Sequence, residues 1–334
     1  MAWALQNLLE SLGMLIIIIF VVGLLANRRG LDLRGASPTA TYIPLSDETS
    51  VPSRAKCIPT PDNRSFRGNF TSSLLARFPF ALEILYWGVM YFVLLATSPL
   101  GASATPSAQS HASTILAFEK TLGIAIELPL QRYLLRVHPL ILTLLSDVFL
   151  LHPSLGAAFL VYGYTYFPPT RYALLRRALA LAPLLTLALS ALWPATPPRL
   201  TPPPTGFIDV LHPPPGYAGD AHTWATTAPQ RALAALPSLH LGAALLMGAS
   251  TARWGRHLWL RVLAPLYPTL MAVAVLATAS AWVLGCAAGL CAVGLGLYLN
   301  RVMLVLRPLE EWVFWVCRTE RPRREEDGRK PWAA

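Results

Sequence analysis

Charge is what this 334-residue sequence has least of, because only 13% of its residues are charged and 54% are hydrophobic. Soluble domains carry about a quarter charged residues, so the composition excludes an ordinary soluble globule. No Asp, Glu, Lys, Arg or His occurs between Arg261 and Arg301. At ~1.5 Å per helical residue, such a run crosses a ~30 Å hydrocarbon layer twice. We therefore expect an all-α polytopic membrane protein.

Cysteine is also scarce, and its placement argues against a metal or disulfide framework. The four residues Cys57, Cys286, Cys291 and Cys317 show no metal-ligand spacing, and a membrane cysteine behaves as a small apolar residue. We expect neither a metal nor another cofactor. The net charge of +10 comes from short basic clusters between apolar segments, so nucleic acid is not an expected partner.

Charge-poor windows predict about seven transmembrane helices. They lie at residues 9–26, 80–98, 147–171, 177–199 and 231–253, followed by two spans after Arg261 that should join near Gly285 to Gly289. The chain then divides into an N-terminal membrane anchor (1–27), a basic and partly disordered cytosolic linker (28–79), a helical membrane core (80–306), and an interfacial segment with a basic cytosolic tail (307–334).

The basic clusters predict the orientation of these spans. Lys and Arg concentrate at 28–34, 171–177, 253–261 and 318–330, after the first, third, fifth and seventh windows. Alternating spans bring all four clusters to one face, which the preference of basic loops for the cytosol makes cytosolic. We expect a cytosolic C-terminus, with loops 99–147 and 194–238 lumenal, in the endoplasmic reticulum or Golgi.

The lumenal loops hold the polar chemistry. Arg199 follows two prolines, and a guanidinium offers a planar fork of donors suited to phosphate. Pro237 can open a helix that Ser238 caps, which would place His240 in the first turn as a candidate acid or base. A lone His at a span end is more often an interfacial residue, and a lone Arg usually reaches toward headgroups. The order and context of the two residues are what favour a site.

Several motifs in this region resemble one family. They are Pro194-Ala-Thr-Pro-Pro-Arg199, Gly206-Phe-Ile-Asp209, Leu236-Pro-Ser-Leu-His240, and an upstream segment from Glu119 to Glu127 followed by Gln131. From about residue 110 to 300, the chain resembles the inositolphosphotransferase branch of the type-2 phosphatidic acid phosphatase superfamily, which includes inositol phosphorylceramide synthase. The resemblance implies that six of the spans form the family's membrane bundle.

The resemblance also implies a mechanism without metal. In the family, a nucleophilic His attacks phosphorus, and an Asp four residues later orients that His. A second His, matched here by His240, protonates the leaving group, and Arg199 would bind the phosphate. The chain departs from this pattern, because Ala281 stands at the nucleophile position and Gly285 at the orienting position. We expect the phosphohistidine route to be lost, since such residues act as a unit.

Three functions remain open for a pocket that would take a membrane lipid, or a prenyl or lipid phosphate. The first is a repurposed enzyme, such as a terpene cyclase using a prenyl diphosphate or a biosynthetic transferase. In it, Arg199 would bind phosphate, Asp209 would contact the substrate, and Trp282, with Trp193 and Trp224, would stabilise a developing cation. His240 would act as acid or base.

The second function is a non-catalytic protein that binds a lipid or a partner membrane enzyme. The third is direct attack of water on a lipid phosphate, with His240 as the base. An acidic pair that would handle a diphosphate through a metal is not apparent. Glu119, Glu127 and Asp209 are scattered along the chain, so we expect them to make structural polar contacts.

Overall fold

The structure is a computed structural model that describes residues 2–28, 61–97, 106–201, 205–211 and 238–320. These residues form helices and turns, with no strand among them, which confirms the all-α class. The helices are α1 (Ala2–Ala26), α2 (Phe70–Arg77), α3 (Ala81–Thr97), α4 (Pro106–Thr121), α5 (Glu127–Val137), α6 (Pro139–Leu150), α7 (His152–Tyr166), α8 (Pro169–Leu192), α9 (Leu239–Trp254), α10 (Leu258–Leu263), α11 (Leu266–Ala277), α12 (Val283–Leu299) and α13 (Arg307–Val316).

Two stretches of the described residues are long and apolar enough to cross a membrane, Pro169–Leu192 and Leu258–Ala277. Three bent helix pairs raise the number of spans to as many as five if each pair crosses once. Seven windows were expected from charge alone. The difference arises because several apolar runs are divided into short helices, and because residues 231–237 of the fifth window lie outside the described residues.

Two expected boundaries were wrong. The third window began at Asp147, but α6 already begins at Pro139, and the helix breaks at Leu151 with a bend of 49° into α7. The last two spans join at residues 278–282, and Gly285 and Gly289 lie inside α12. Gly285 and Gly289 were expected to mark a turn, but they lie within a helix, and Gly289 allows close contact with Ser238.

Helix α9 lies at the centre of the bundle. It packs against α7, α8, α11 and α12, while α6 packs on α11, α1 on α7, and α3 on α8. Close approach of α9 and α12 depends on Gly242 and Gly289. A Cβ at Gly242 would lie 2.6 Å from Val293 Cγ2, and one at Gly289 would lie 2.1 Å from the Ser238 carbonyl oxygen.

Segments that the charge pattern assigned to one face do meet at one end of the bundle. The Tyr162 hydroxyl lies 3.2 Å from His257 Nδ1, and the guanidinium of Arg171 lies over the ring of Trp254. Likewise, the linker residue Asn63 donates hydrogen bonds to the C-terminal residue Glu311. The membrane side to which this end belongs remains a prediction.

A buried ion pair joins α3 to α8. Arg176 Nη1 lies 2.6 Å from Glu83 Oε1, and the Tyr172 hydroxyl donates to Glu83 Oε2 at 3.1 Å. The Glu83 side chain is only 5% exposed. An ion buried in this way requires its partner, because removing one member leaves an uncompensated charge in a poorly solvated place.

Replacement of Glu83 by Ala should therefore lower the free energy of unfolding by about 3–5 kcal/mol. The measurement is the thermal unfolding midpoint of the detergent-purified protein. Arg67→Ala is the control, because Arg67 is 77% exposed and lies 4.0 Å from Glu320, and exposed pairs contribute about 0–1 kcal/mol. Equal midpoints for Glu83→Ala and the control would contradict the assigned importance of the buried pair.

Candidate functional site

Arg199 is positioned by its own backbone and by the turn after α11. It lies in a short 3-10 helix, Pro198–Leu200, and its N–H donates to the Ala279 carbonyl at 2.9 Å. Ala279 adopts the left-handed conformation, with φ of 50°, and it closes α11 as residue C′ of a Schellman motif. The two bonds of that motif run from Ala279 N to Leu276 O and from Ser280 N to Val275 O. A strained turn thus fixes where Arg199 sits.

Asp209 faces Arg199 across the site. Arg199 Nη1 lies 3.3 Å from Asp209 Oδ1 and 3.4 Å from Oδ2, and the Arg199 side chain is only 3% exposed. Gln131, which is fully buried, holds this loop by a double hydrogen bond: its Nε2 donates to Ile208 O, and its Oε1 accepts from Ile208 N. The two loop motifs of the sequence are therefore brought together as an ion pair.

His240 lies in the first turn of α9, as expected. Ser238 occupies the N-cap position, although its side chain makes no capping hydrogen bond, and Pro237 lies outside the described residues. The imidazole stacks on Phe149, with ring centroids 4.4 Å apart at an interplanar angle of 24°. It also interacts electrostatically with Arg199. The structure thus groups the predicted acid or base with the predicted phosphate-binding residue.

His152 is a neighbour of His240 that the sequence analysis did not select. It is the first residue of α7, at the break after α6, and its ring centroid lies 5.1 Å from that of His240. His152 Nδ1 lies 2.5 Å from the Tyr267 hydroxyl of α11. A usable signal was present, because an imidazole followed by Pro153 inside an apolar run is an expensive residue to place in a membrane.

Glu119 and Glu127 are not scattered, contrary to expectation, because both reach the start of α12. Glu119 Oε1 accepts from Leu284 N at 2.8 Å, and Glu127 Oε1 accepts from Val283 N at 2.8 Å. Both residues are buried. Burial, with the neighbouring charge of Glu127, raises the pKa of Glu119 from 4.5 to about 8. Their expected structural role is confirmed by these bonds to the α12 backbone.

Trp282 forms the N-cap residue of α12 and is fully buried. Its indole N–H donates to the Thr196 carbonyl at 3.0 Å, and its ring makes an edge contact with Phe207 at 5.9 Å. These contacts tie both loop motifs to α12. Trp193 is 38% exposed and packs on His111, whereas Trp224 lies outside the described residues.

Ala281 and Gly285 lie at the same junction. Ala281 is fully buried just before α12, and Gly285 lies in the first turn, where its carbonyl accepts from Ser238 N at 2.7 Å. Neither residue has a side chain that could attack phosphorus or orient an imidazole. The roles assigned to Arg199, Asp209 and Trp282 in substrate binding, and to His240 in catalysis, remain predictions.

Comparison with known proteins gives one result. The family model of the PAP2 superfamily matches residues 113–299, which is more than half of the chain. No curated protein and no solved structure matched. The match begins within α4, runs through α12 and includes Arg199, Asp209, His240 and His152. It confirms the expected superfamily, and the inositolphosphotransferase branch stays a prediction.

The raised pKa of Glu119 predicts a pH dependence of stability. The folded state keeps this proton while the unfolded state loses it, so stability should fall as pH rises from about 4.5 to about 8. Glu119→Gln preserves the shape and removes the titration, so its unfolding midpoint should fall less over this range than that of the wild type. Asp62→Asn, at a side chain that is 76% exposed, should retain the wild-type slope. A Gln variant with the full wild-type slope would exclude Glu119 as the source.

The close contact at Gly289 predicts a packing effect. In Gly289→Ala the new methyl would lie 2.1 Å from the Ser238 carbonyl oxygen, so α9 and α12 must separate, at a cost of about 1–3 kcal/mol. Gly294→Ala on the same helix meets nothing within 4 Å and should be neutral or slightly stabilising, since Ala favours helix. Thermal unfolding in detergent compares the two variants, and equal midpoints would refute the packing argument.

Proposed function

This chain belongs to the PAP2 superfamily, and we propose that it binds the phosphate end of an amphipathic lipid or isoprenoid beside Arg199 and His240. We propose further that the phosphohistidine route of the family is lost in this chain. One observation carries this proposal. The Arg199 backbone is hydrogen-bonded to the turn that precedes α12. The arginine expected to bind phosphate is therefore present beside Ala281 and Gly285, two positions without a nucleophilic side chain.

The geometry of the Arg199–Asp209 pair supports phosphate as the ligand. Both carboxylate oxygens lie within 3.4 Å of Arg199 Nη1. A phosphate also presents paired oxygens, and the charged N–H donors of a guanidinium form strong hydrogen bonds with either anion. Asp209 therefore acts as the internal counter-ion that a ligand phosphate would replace or share.

The position of the site supports an amphipathic ligand in a secretory membrane. Arg199, Asp209 and His240 lie at the end of the bundle opposite the contacts between Tyr162 and His257. If the basic end is cytosolic, the site opens toward the lumen of the endoplasmic reticulum or Golgi. The aromatic ring of Phe149 behind His240 gives the ligand an apolar wall beside its phosphate.

A second candidate function is hydrolysis of the bound phosphate by direct attack of water. The observation that favours it is the pair of imidazoles, His152 and His240, with ring centroids 5.1 Å apart. A prenyl-diphosphate cyclase or transferase has weaker support, because the ring of Trp282 is fully buried against Phe207. A non-catalytic role in binding lipid or a partner membrane enzyme requires only the Arg199 site.

Binding of two probes tests the proposal, dioleoyl phosphatidate and farnesyl diphosphate, each titrated into the purified protein in detergent. Arg199→Ala should weaken binding at least tenfold, because the main phosphate contact is lost, and Arg199→Lys should weaken it less. Arg301→Ala is the control, since this exposed residue follows α12 at its far end. Asp209→Asn should bind at least as tightly as the wild type, because a competing carboxylate is neutralised.

Failure of the wild-type protein to bind either probe would overturn the proposed ligand class. Loss of affinity in Arg301→Ala equal to that in Arg199→Ala would show that the measured binding is nonspecific. A ³²P-labelled substrate provides the second arm. An acid-labile, base-stable phosphoryl group trapped on a histidine of this chain would contradict the predicted loss of the phosphohistidine route.

A further inference from the structure

We propose that His152 is the second acid–base histidine of this site, oriented by the Tyr267 hydroxyl and paired with His240. The substrate class is a phosphate monoester or diphosphate carried by a lipid or isoprenoid. The inference rests on the proposed function, since it assigns chemistry to the same phosphate site. His152 would provide a proton-transfer group from α7 in a chain that lacks the family's nucleophile and orienting carboxylate near the start of α12.

Three elements converge to make this histidine pair. His152 is the first residue of α7, His240 lies in the first turn of α9, and Tyr267 lies near the start of α11. The centroids of the two imidazole rings are 5.1 Å apart. The ring of Phe149 stacks on that of His240, with centroids 4.4 Å apart. The histidine pair is therefore held by residues of three helices, α7, α9 and α11.

The hydrogen bond to Tyr267 sets the state of the His152 ring. His152 Nδ1 and the Tyr267 hydroxyl oxygen are 2.5 Å apart. When Nδ1–H donates to that oxygen, Nε2 is left as a proton acceptor. Nε2 makes no hydrogen bond to the part of the protein that the structure describes. Tyr267 thus orients His152 by the same logic as a carboxylate that orients a catalytic imidazole.

A purely structural histidine explains this arrangement less well. Inside a membrane bundle, a polar ring is costly and is usually found with a partner or a task. One Tyr267 bond satisfies Nδ1, but it does not explain why a second imidazole lies alongside. Nor does it explain why both rings lie at helix starts, where unpaired N–H groups and the helix dipole favour an anionic ligand.

The chemistry is a direct displacement by water. His152 Nε2 accepts a proton from the water whose oxygen attacks phosphorus, while the bond from phosphorus to the leaving oxygen breaks. Protonated His240 gives its proton to that oxygen, and Arg199 neutralises charge on the phosphoryl group. A monoester gives an alcohol and inorganic phosphate, and a diphosphate gives a monophosphate and inorganic phosphate. Transfer of the proton from His152 back to His240 completes the cycle.

The test uses the full-length protein in detergent with dioleoyl phosphatidate and farnesyl diphosphate as separate substrates, and phosphate release is followed from pH 5 to 9. The variants are His152→Asn, which retains a polar group without titration, and Tyr267→Phe, which retains the ring and removes the hydroxyl. Tyr162→Phe is the matched control, because its hydroxyl lies 3.2 Å from His257 Nδ1 at the opposite end of the bundle.

We expect His152→Asn to lower kcat at least a hundredfold and Tyr267→Phe at least tenfold, each with KM within about threefold of the wild type. The limb of the pH profile that reports the base should disappear in His152→Asn and shift in Tyr267→Phe. The groups that face His152 and can contribute to the profile are His240 from α9 and Tyr267 from α11, and Arg199, paired with Asp209, acts on His240. Tyr162→Phe should stay within twofold at every pH.

Three outcomes would overturn the inference. The first is full activity of His152→Asn with an unchanged pH profile, in an assay in which Arg199→Ala loses activity. The second is binding of a probe by the wild type without phosphate release from either substrate, which leaves the proposed binding function standing. The third is a trapped phosphoryl group on His152, which would make it a nucleophile rather than a base. Absence of binding itself would instead refute the proposed function.

Discussion

The close contact between the start of α9 and the start of α12 is the constraint on which the rest of the site depends. Gly289 allows the α12 backbone to reach Ser238, and Ser238 N donates to the Gly285 carbonyl. This contact sets the depth of His240, which follows Ser238 by two residues. It also fixes the first turn of α12, whose N–H groups donate to Glu119 and Glu127.

Two N–H groups at the start of α12 are already paired with carboxyl groups of the protein, which distinguishes this site from one that binds an anion there. A helix start is a natural anion site because its N–H groups point outward. Here two of those N–H groups are bonded to the carboxyl oxygens of Glu119 and Glu127. The protein's own carboxyl groups thus occupy the place that an anion would take. A phosphate bound as proposed would therefore contact Arg199 rather than the start of α12.

Features of the fold and of the candidate site could be predicted where they depend on residues that are close in the sequence. The apolar runs gave the all-α membrane class, and the motifs around Arg199 and His240 predicted a pair that the structure does bring together. Contacts between distant segments left no local signal. Glu119 and Glu127 meet α12 more than 150 residues later in the chain, and His152 meets Tyr267 across 115 residues. The turn after α11 escaped prediction because Ala279, rather than a glycine, adopts the positive φ.

The Arg199–Asp209 pair has a consequence for selectivity. A guanidinium that is 3% exposed requires a counter-charge, and Asp209 supplies it before any ligand arrives. Ligand affinity then reflects the difference between a phosphate and a carboxylate, not the full strength of the arginine contact. If a phosphate binds Arg199 as proposed, a dianion would compete with the Asp209 carboxylate more strongly than a phosphodiester, which carries only one negative charge. On the proposed phosphate binding, the pair would therefore favour lipids with a terminal phosphate or diphosphate over the phosphodiesters that make up most of the surrounding bilayer.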